Sequence, residues 1–222
     1  MRRQSLGWSR RHCIKGALAL LSWGMGAAIA QPAGTTVLVV GDSLSAEYGL
    51  ARGSGWVALL ERKLAGEPVK VVNASISGDT TSGGRSRLGA LLARHRPQVV
   101  LIELGGNDAL RGLPLEMTER NLLEMSRQAT QAGAKVLLVG MRIPPNYGRR
   151  YASDFAAVYS RVAKAERATL VPFLLEGVAN GPQAATLFQA DGIHPTAAAQ
   201  PAMLDNVWPL LRSLLPKASL AR

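Results

Sequence analysis

The stretch "QVVLIEL", Gln98 to Leu104, decides the fold. A strand with one wet face alternates apolar and polar residues, whereas a strand covered on both faces reads as an almost unbroken apolar run. Gln98–Leu104 is of the second kind, which predicts a central strand of a parallel sheet. Shorter β-branched runs lie on either side of it, at Thr35–Val40 and Val69–Asn73 before it and at Lys135–Met141 and Thr169–Pro172 after it. Between these runs the apolar residues fall at helical spacing. Trp56, Leu59, Leu60 and Leu64 form one such set, and Leu88, Leu91 and Leu92 a second. Leu122, Leu123 and Met125 mark a third helix, which Gly133 closes as a cap. Phe155, Val158, Tyr159 and Val162 mark a fourth, and a last one runs from about Ala198 to Leu215 with Trp208 and Leu211.

Strand–helix alternation requires an α/β fold in which a parallel sheet carries helices on both faces. Right-handed crossovers reduce the windings to a few, and five strands suit a flavodoxin-like sheet. No gap is long enough for a second domain, so residues 31–222 are expected to form one.

The first thirty residues read differently. Arg2, Arg3, Arg10, Arg11 and Lys15 form a basic start without an acid, and an apolar run, Ala17–Ala30, ends in Ala28-Ile29-Ala30. This is the pattern of a secretory signal peptide. As a membrane anchor the run is short of the roughly 20 apolar residues that a spanning helix needs. Ser9-Arg10-Arg11-His12-Cys13 also resembles a twin-arginine export signal, with cysteine where an aromatic is usual. Residues 1–30 are therefore expected to be removed, leaving a periplasmic or secreted protein without a stable membrane anchor. The only cysteine, Cys13, leaves with them. The remainder has no disulfide, thiol nucleophile or thiolate metal site and depends on packing.

The formal charge of +11 falls to +6 once the five leader cations are gone. A charge of that size suits solubility, and there is no aromatic-rich basic patch of the kind that binds nucleic acid. No apolar stripe is left unaccounted for, so a monomer is expected.

In doubly wound sheets, ligands bind beyond the carboxyl ends of the strands. That rule puts the loops beginning at Gly41, Ala74, Gly105 and Arg142 on one rim. They carry Gly41-Asp42-Ser43, Ser77-Gly78-Asp79 and Gly105-Gly106-Asn107-Asp108, with Asp191-Gly192-Ile193-His194-Pro195 near the C-terminus. Taken alone, each has a plain explanation as a turn or a helix cap. Together they meet a chemical requirement. A serine hydroxyl needs a neighbouring base to attack at neutral pH, usually a histidine oriented by a carboxylate. His95, between Arg94 and Arg96 at the end of a helix, falls on the opposite rim beside cations that disfavour imidazolium. His194 is the remaining base, with Asp191 near enough to hold its ring. Attack on a carbonyl also creates an oxyanion that requires fixed donors. The N–H of Ser43 at the start of a helix, the N–H of Gly78 and the side-chain amide of Asn107 can supply them.

These four blocks, in this order, resemble those of the GDSL, or SGNH, hydrolases. "VVNASISGDTTSGG", "LIELGGNDALRG" and "RIPPNYGRRY" resemble most closely the bacterial periplasmic branch described as thioesterase, arylesterase and lysophospholipase. The resemblance implies Ser43 as nucleophile, His194 as base, Asp191 as its partner, and Ser43, Gly78 and Asn107 as the oxyanion hole. It also implies a three-layer α/β/α sandwich with no metal or cofactor, acting on a small-molecule or lipid acyl substrate. One departure is Glu47, where members of the family often have glycine. Leu110, Ile143, Pro144 and Tyr147, on the loops after the third and fourth strands, are candidates for the acyl groove. Arg142, Arg149 and Arg150 could face an anionic head group or only solvent.

Other classes fit less well. A protein that holds an acyl or carbohydrate ligand on the same rim without turnover is expected to lack the serine, the histidine or the asparagine, and all three are here. A nucleotide binder is expected to show a phosphate-loop or dinucleotide fingerprint, and neither is present. A metal enzyme finds only two histidines after the leader, on opposite rims.

Overall fold

The computed structural model describes residues 34–216. The expected leader, with Cys13 and the paired arginines, lies outside the described residues. Five parallel strands form one sheet in the order β2-β1-β3-β4-β5. They are β1 (Thr35–Gly41), β2 (Val69–Asn73), β3 (Val99–Glu103), β4 (Lys135–Val139) and β5 (Thr169–Val171). Every residue of β3 is buried, as expected of a strand covered on both faces, whereas β2 at the sheet edge is only partly covered. β2 has its expected bounds and β1 runs one residue further than expected, to Gly41, whereas β3, β4 and β5 are trimmed by one or two residues.

Helices cover both faces, giving a three-layer α/β/α sandwich. On one face α1 (Trp56–Lys63) packs against α7 (Gln200–Leu214), burying Trp56 and Leu60 with Met203, Val207 and Leu211. On the other, α4 (Leu115–Gln131) packs between α2 (Thr81–His95) and α5 (Arg149–Glu166). The core aromatics Phe155 and Tyr159 of α5 meet edge to face at 5.5 Å. Helix α4 ends as Gly133 requires. The Ala134 N–H reaches the Ala129 carbonyl at 3.0 Å and the Gly133 N–H reaches Thr130 at 2.9 Å, the paired closure of a Schellman motif. The last helix begins at Gln200, later than expected, because Ala197–Ala199 form a 3₁₀ turn. Two short helices have too few residues for any periodicity to show in the sequence: α3 (Gly106–Leu110) and α6 (Ala184–Leu187).

The order 2-1-3-4-5 reverses direction between β1 and β3, and this switch point is where such sheets open a crevice. Gly41 and Glu103 are register partners at the ends of the two strands. The chain leaves β3 through Gly105, whose φ of 119° suits glycine, and an added Cβ there would lie 2.4 Å from the Tyr159 hydroxyl oxygen. That turn sends Asn107 back over the crevice on α3.

Candidate active site

Ser43 lies two residues beyond the end of β1, after Asp42. It does not start a helix, as expected from the sequence, but opens a series of turns over residues 43–49, and α1 begins only at Trp56. The reason lies at Glu47, whose backbone is left-handed at φ 60° and so stops helical propagation. Glycine adopts such a backbone without strain. Here the Glu47 carboxylate accepts from the N–H of Gly53 at 3.0 Å and of Gly55 at 2.7 Å, which offsets the strained backbone by tying the loop to the start of α1.

His194 is brought to Ser43 from 151 positions away in sequence, its Nε2 lying 2.8 Å from the serine Oγ. Its Nδ1 lies 2.7 Å from Oδ2 of Asp191. The other oxygen of Asp191 accepts the backbone N–H of His194 at 3.0 Å and of Ile193 at 2.9 Å. Those bonds, the backbone one to His194 foremost, hold the Asp191 carboxyl at a pKa of about 2. It therefore remains an acceptor for the ring at any ordinary pH. The loop is closed by the Gln189 N–H on the His194 carbonyl at 2.8 Å and by a bridge between Phe188 and Pro195.

The three expected donors are not equivalent. Asn107 Nδ2 donates to Asp42 Oδ2 at 3.0 Å and to the Asp79 carbonyl at 2.9 Å. Both amide hydrogens already have acceptors, so an arriving oxyanion competes for one of them. Gly78 is exposed, with φ 77°, and its carbonyl accepts from Arg111 Nη2 at 2.9 Å. It is not among the residues lining the cavity at Ser43. Among the described residues, no acceptor takes the N–H of Ser43 or of Gly78.

Two buried carboxyls beneath the serine have no counterpart in the sequence reading. Glu103, fully buried in β3, accepts from Ser45 Oγ at 2.7 Å and from the Asp42 N–H at 3.3 Å. Burial, then the nearby Asp42, pushes its carboxyl well above the usual range. The sole acid in an apolar run was the available signal, since a carboxyl in a doubly covered strand must have partners. Burial likewise raises Asp42 to about 6, against the lowering effect of the Leu44 N–H and the Asn107 amide. A raised carboxyl binds its proton more tightly folded than unfolded, so its share of stability is present below about pH 4 and is lost as pH rises through about 6. Asp42→Asn is expected to flatten the fall in unfolding free energy between pH 4 and 7, as measured by urea titration. An unchanged slope would refute the assignment.

Ser43, Asn107 and His194 line a cavity of about 530 Å³, within the range of small-ligand sites. Leu110, Ile143, Pro144 and Tyr147 line it too. The sequence reading missed Phe173, Leu175, Ala179 and Phe188, which reach it from the segment after β5. The rim rule could have found them, because that segment also leaves a strand at its carboxyl end. Of the three arginines, Arg142 lines the cavity, stacks on the Phe173 ring at 4.8 Å and lies 3.7 Å from Glu176, while Arg150 pairs with Asp154. His95 ends α2, away from this rim. A second cleft, of about 490 Å³ between α2 and α4, is lined by Arg85, Arg120, Arg127 and Glu124 and contains no nucleophile.

Residues 39–201 match the model of the GDSL-like lipase/acylhydrolase family. The chain is 56% identical over 187 residues to the esterase TesA of Pseudomonas aeruginosa, covering 83% of this chain and 92% of that one. It is 47% identical over 173 residues to thioesterase 1/protease 1/lysophospholipase L1 of Escherichia coli, covering 78% and 81%. A crystal structure of TesA superposes with a TM-score of 0.78 at 55% identity, over 82% of this chain and all of the other.

Proposed function

Because the chain belongs to the GDSL-like lipase/acylhydrolase family and is a carboxylic ester hydrolase, we propose that Ser43 is its nucleophile, His194 its general base and Asp191 the partner that orients the imidazole. The observation that carries this reading is the run of two short hydrogen bonds, Asp191–His194–Ser43, whose Ser43 and His194 line a largely apolar cavity. Substrates are acyl esters and thioesters, with the acyl chain lying along Leu110, Ile143, Pro144 and Tyr147.

Ser43 Oγ attacks the acyl carbonyl as Nε2 of His194 takes its proton, and the carbonyl π pair moves onto oxygen. The N–H groups of Ser43 and Gly78 and the amide of Asn107 receive that oxyanion. Their free or shareable hydrogens support this role, and fixed donors act most strongly where water is excluded. Collapse of the intermediate expels the alkoxide or thiolate, which takes the proton from His194. Water then attacks the acyl-serine with His194 again as base, releasing the carboxylic acid and restoring Ser43. Asp191 remains ionised throughout and stabilises the transient imidazolium.

Residues 1–30 are proposed to be a cleaved export signal, on the strength of their basic start, apolar run and Ala-Ile-Ala exit. Residues 31–222 then act as one unanchored, monomeric domain in the periplasm or outside the cell.

Purified protein assayed with p-nitrophenyl esters and acyl-coenzyme A thioesters from two to sixteen carbons tests the activity; no turnover of any member would overturn it. Ile143→Trp, which fills part of the cavity, is expected to lower the ratio of kcat/KM for twelve- over four-carbon esters by about tenfold, the scale of 1–3 kcal/mol for a misfitted apolar pocket. An unchanged ratio would remove Ile143 from the acyl path.

A further inference from the structure

We infer that Tyr48 is a positioning residue for His194, holding the face of the imidazole whose two nitrogens Asp191 and Ser43 already hold. The inference rests on His194 being the base. Tyr48 and His194 have ring centroids 4.3 Å apart, with planes tilted by 37°. Hydrogen bonds at Nδ1 and Nε2 act in the plane of the imidazole and resist rotation about its Cβ–Cγ bond only weakly while they remain near their best angles. A contact on the ring face opposes out-of-plane rotation directly, and Tyr48 supplies one.

Tyr48 is half exposed, at 50%, yet its backbone is tightly held. Gln189 Nε2 donates to the Tyr48 carbonyl at 2.9 Å and to the Pro195 carbonyl at 3.2 Å, joining the serine loop to the histidine loop. On its other side Glu47, left-handed at φ 60°, grips Gly53 and Gly55. Strain retained in a non-glycine residue beside a reactive group is a pointer to function.

The aromatic face also compensates for an exposed carboxylate. The Asp191 side chain is 38% exposed and that of His194 is 16% exposed, so water screens part of the support that Asp191 gives the imidazolium. An aromatic face stabilises a cation stacked on it, most strongly where water is partly excluded. Tyr48 is not among the residues lining the cavity. Its effect therefore falls on kcat rather than on KM.

The test compares Tyr48→Leu and Tyr48→Phe in full-length protein, using p-nitrophenyl butyrate and monitoring thermal midpoints. Tyr48→Leu is expected to lower kcat about fivefold with KM unchanged, and Tyr48→Phe, which keeps the ring face, to stay within about twofold of the parent. Wild-type kcat in Tyr48→Leu would overturn the inference, whether or not its midpoint falls. So would a rise in KM alone, which would make Tyr48 a substrate contact. Equal losses in the two variants would assign the effect to the hydroxyl and also overturn it. His194→Ala in the same assay separates the layers: wild-type turnover there sinks the base assignment itself. A loss there beside an unchanged Tyr48→Leu sinks only the role of Tyr48.

Discussion

Ser43→Ala is expected to remain folded and to lose ester turnover by roughly 10⁴–10⁶ in kcat, the scale seen when a nucleophile is removed from a triad. The hydroxyl has one side-chain partner, Nε2 of His194 at 2.8 Å, and that nitrogen lines an open cavity where water can replace the lost oxygen. Nothing else in the crevice depends on the Oγ. The stability change should therefore stay within about 0.5 kcal/mol. Turnover near the parent level would place the nucleophile elsewhere.

Asn107→Ala is expected to lower kcat by roughly 10²–10³ while leaving KM for short esters almost unchanged, since an oxyanion donor acts on the transition state. Unlike Ser43→Ala, this substitution should also destabilise the fold. Asn107 is the side-chain donor to the buried Asp42 carboxyl, which is only 2% exposed. A buried acceptor left short of a donor costs about 1–3 kcal/mol. Measuring kcat and unfolding free energy on the same sample separates the two effects. Loss of stability with full kcat would make Asn107 a structural partner of Asp42 and nothing more.

The almost unbroken apolar run at Gln98–Leu104, the lengths of the intervening segments and the sheet's handedness made the fold legible, because each is a local property with one packing solution. That Ser43, His194 and Asp191 come together was legible for a chemical reason, since His194 is the one histidine expected on that rim and Asp191 lies three residues before it. The left-handed backbone at Glu47 was not, because glutamate carries no signal for that conformation, and the tether of Glu103 to Ser45 was not, because its partners lie 58 positions apart. A similar limit hid Phe173 and Phe188. They are ordinary apolar residues until the chain after β5 is seen to fold back over the crevice. Gly78 shows the converse, a residue expected at the site that keeps its N–H unpaired but stands outside the cavity lining.

Peptide mapping after treatment with a fluorophosphonate tests most directly whether the Ser43 hydroxyl is the activated one. A single phosphonyl group on the peptide carrying Gly41-Asp42-Ser43, absent from Ser43→Ala, is the expected result. A label on another serine, or full inhibition with Ser43 unmodified, would contradict it.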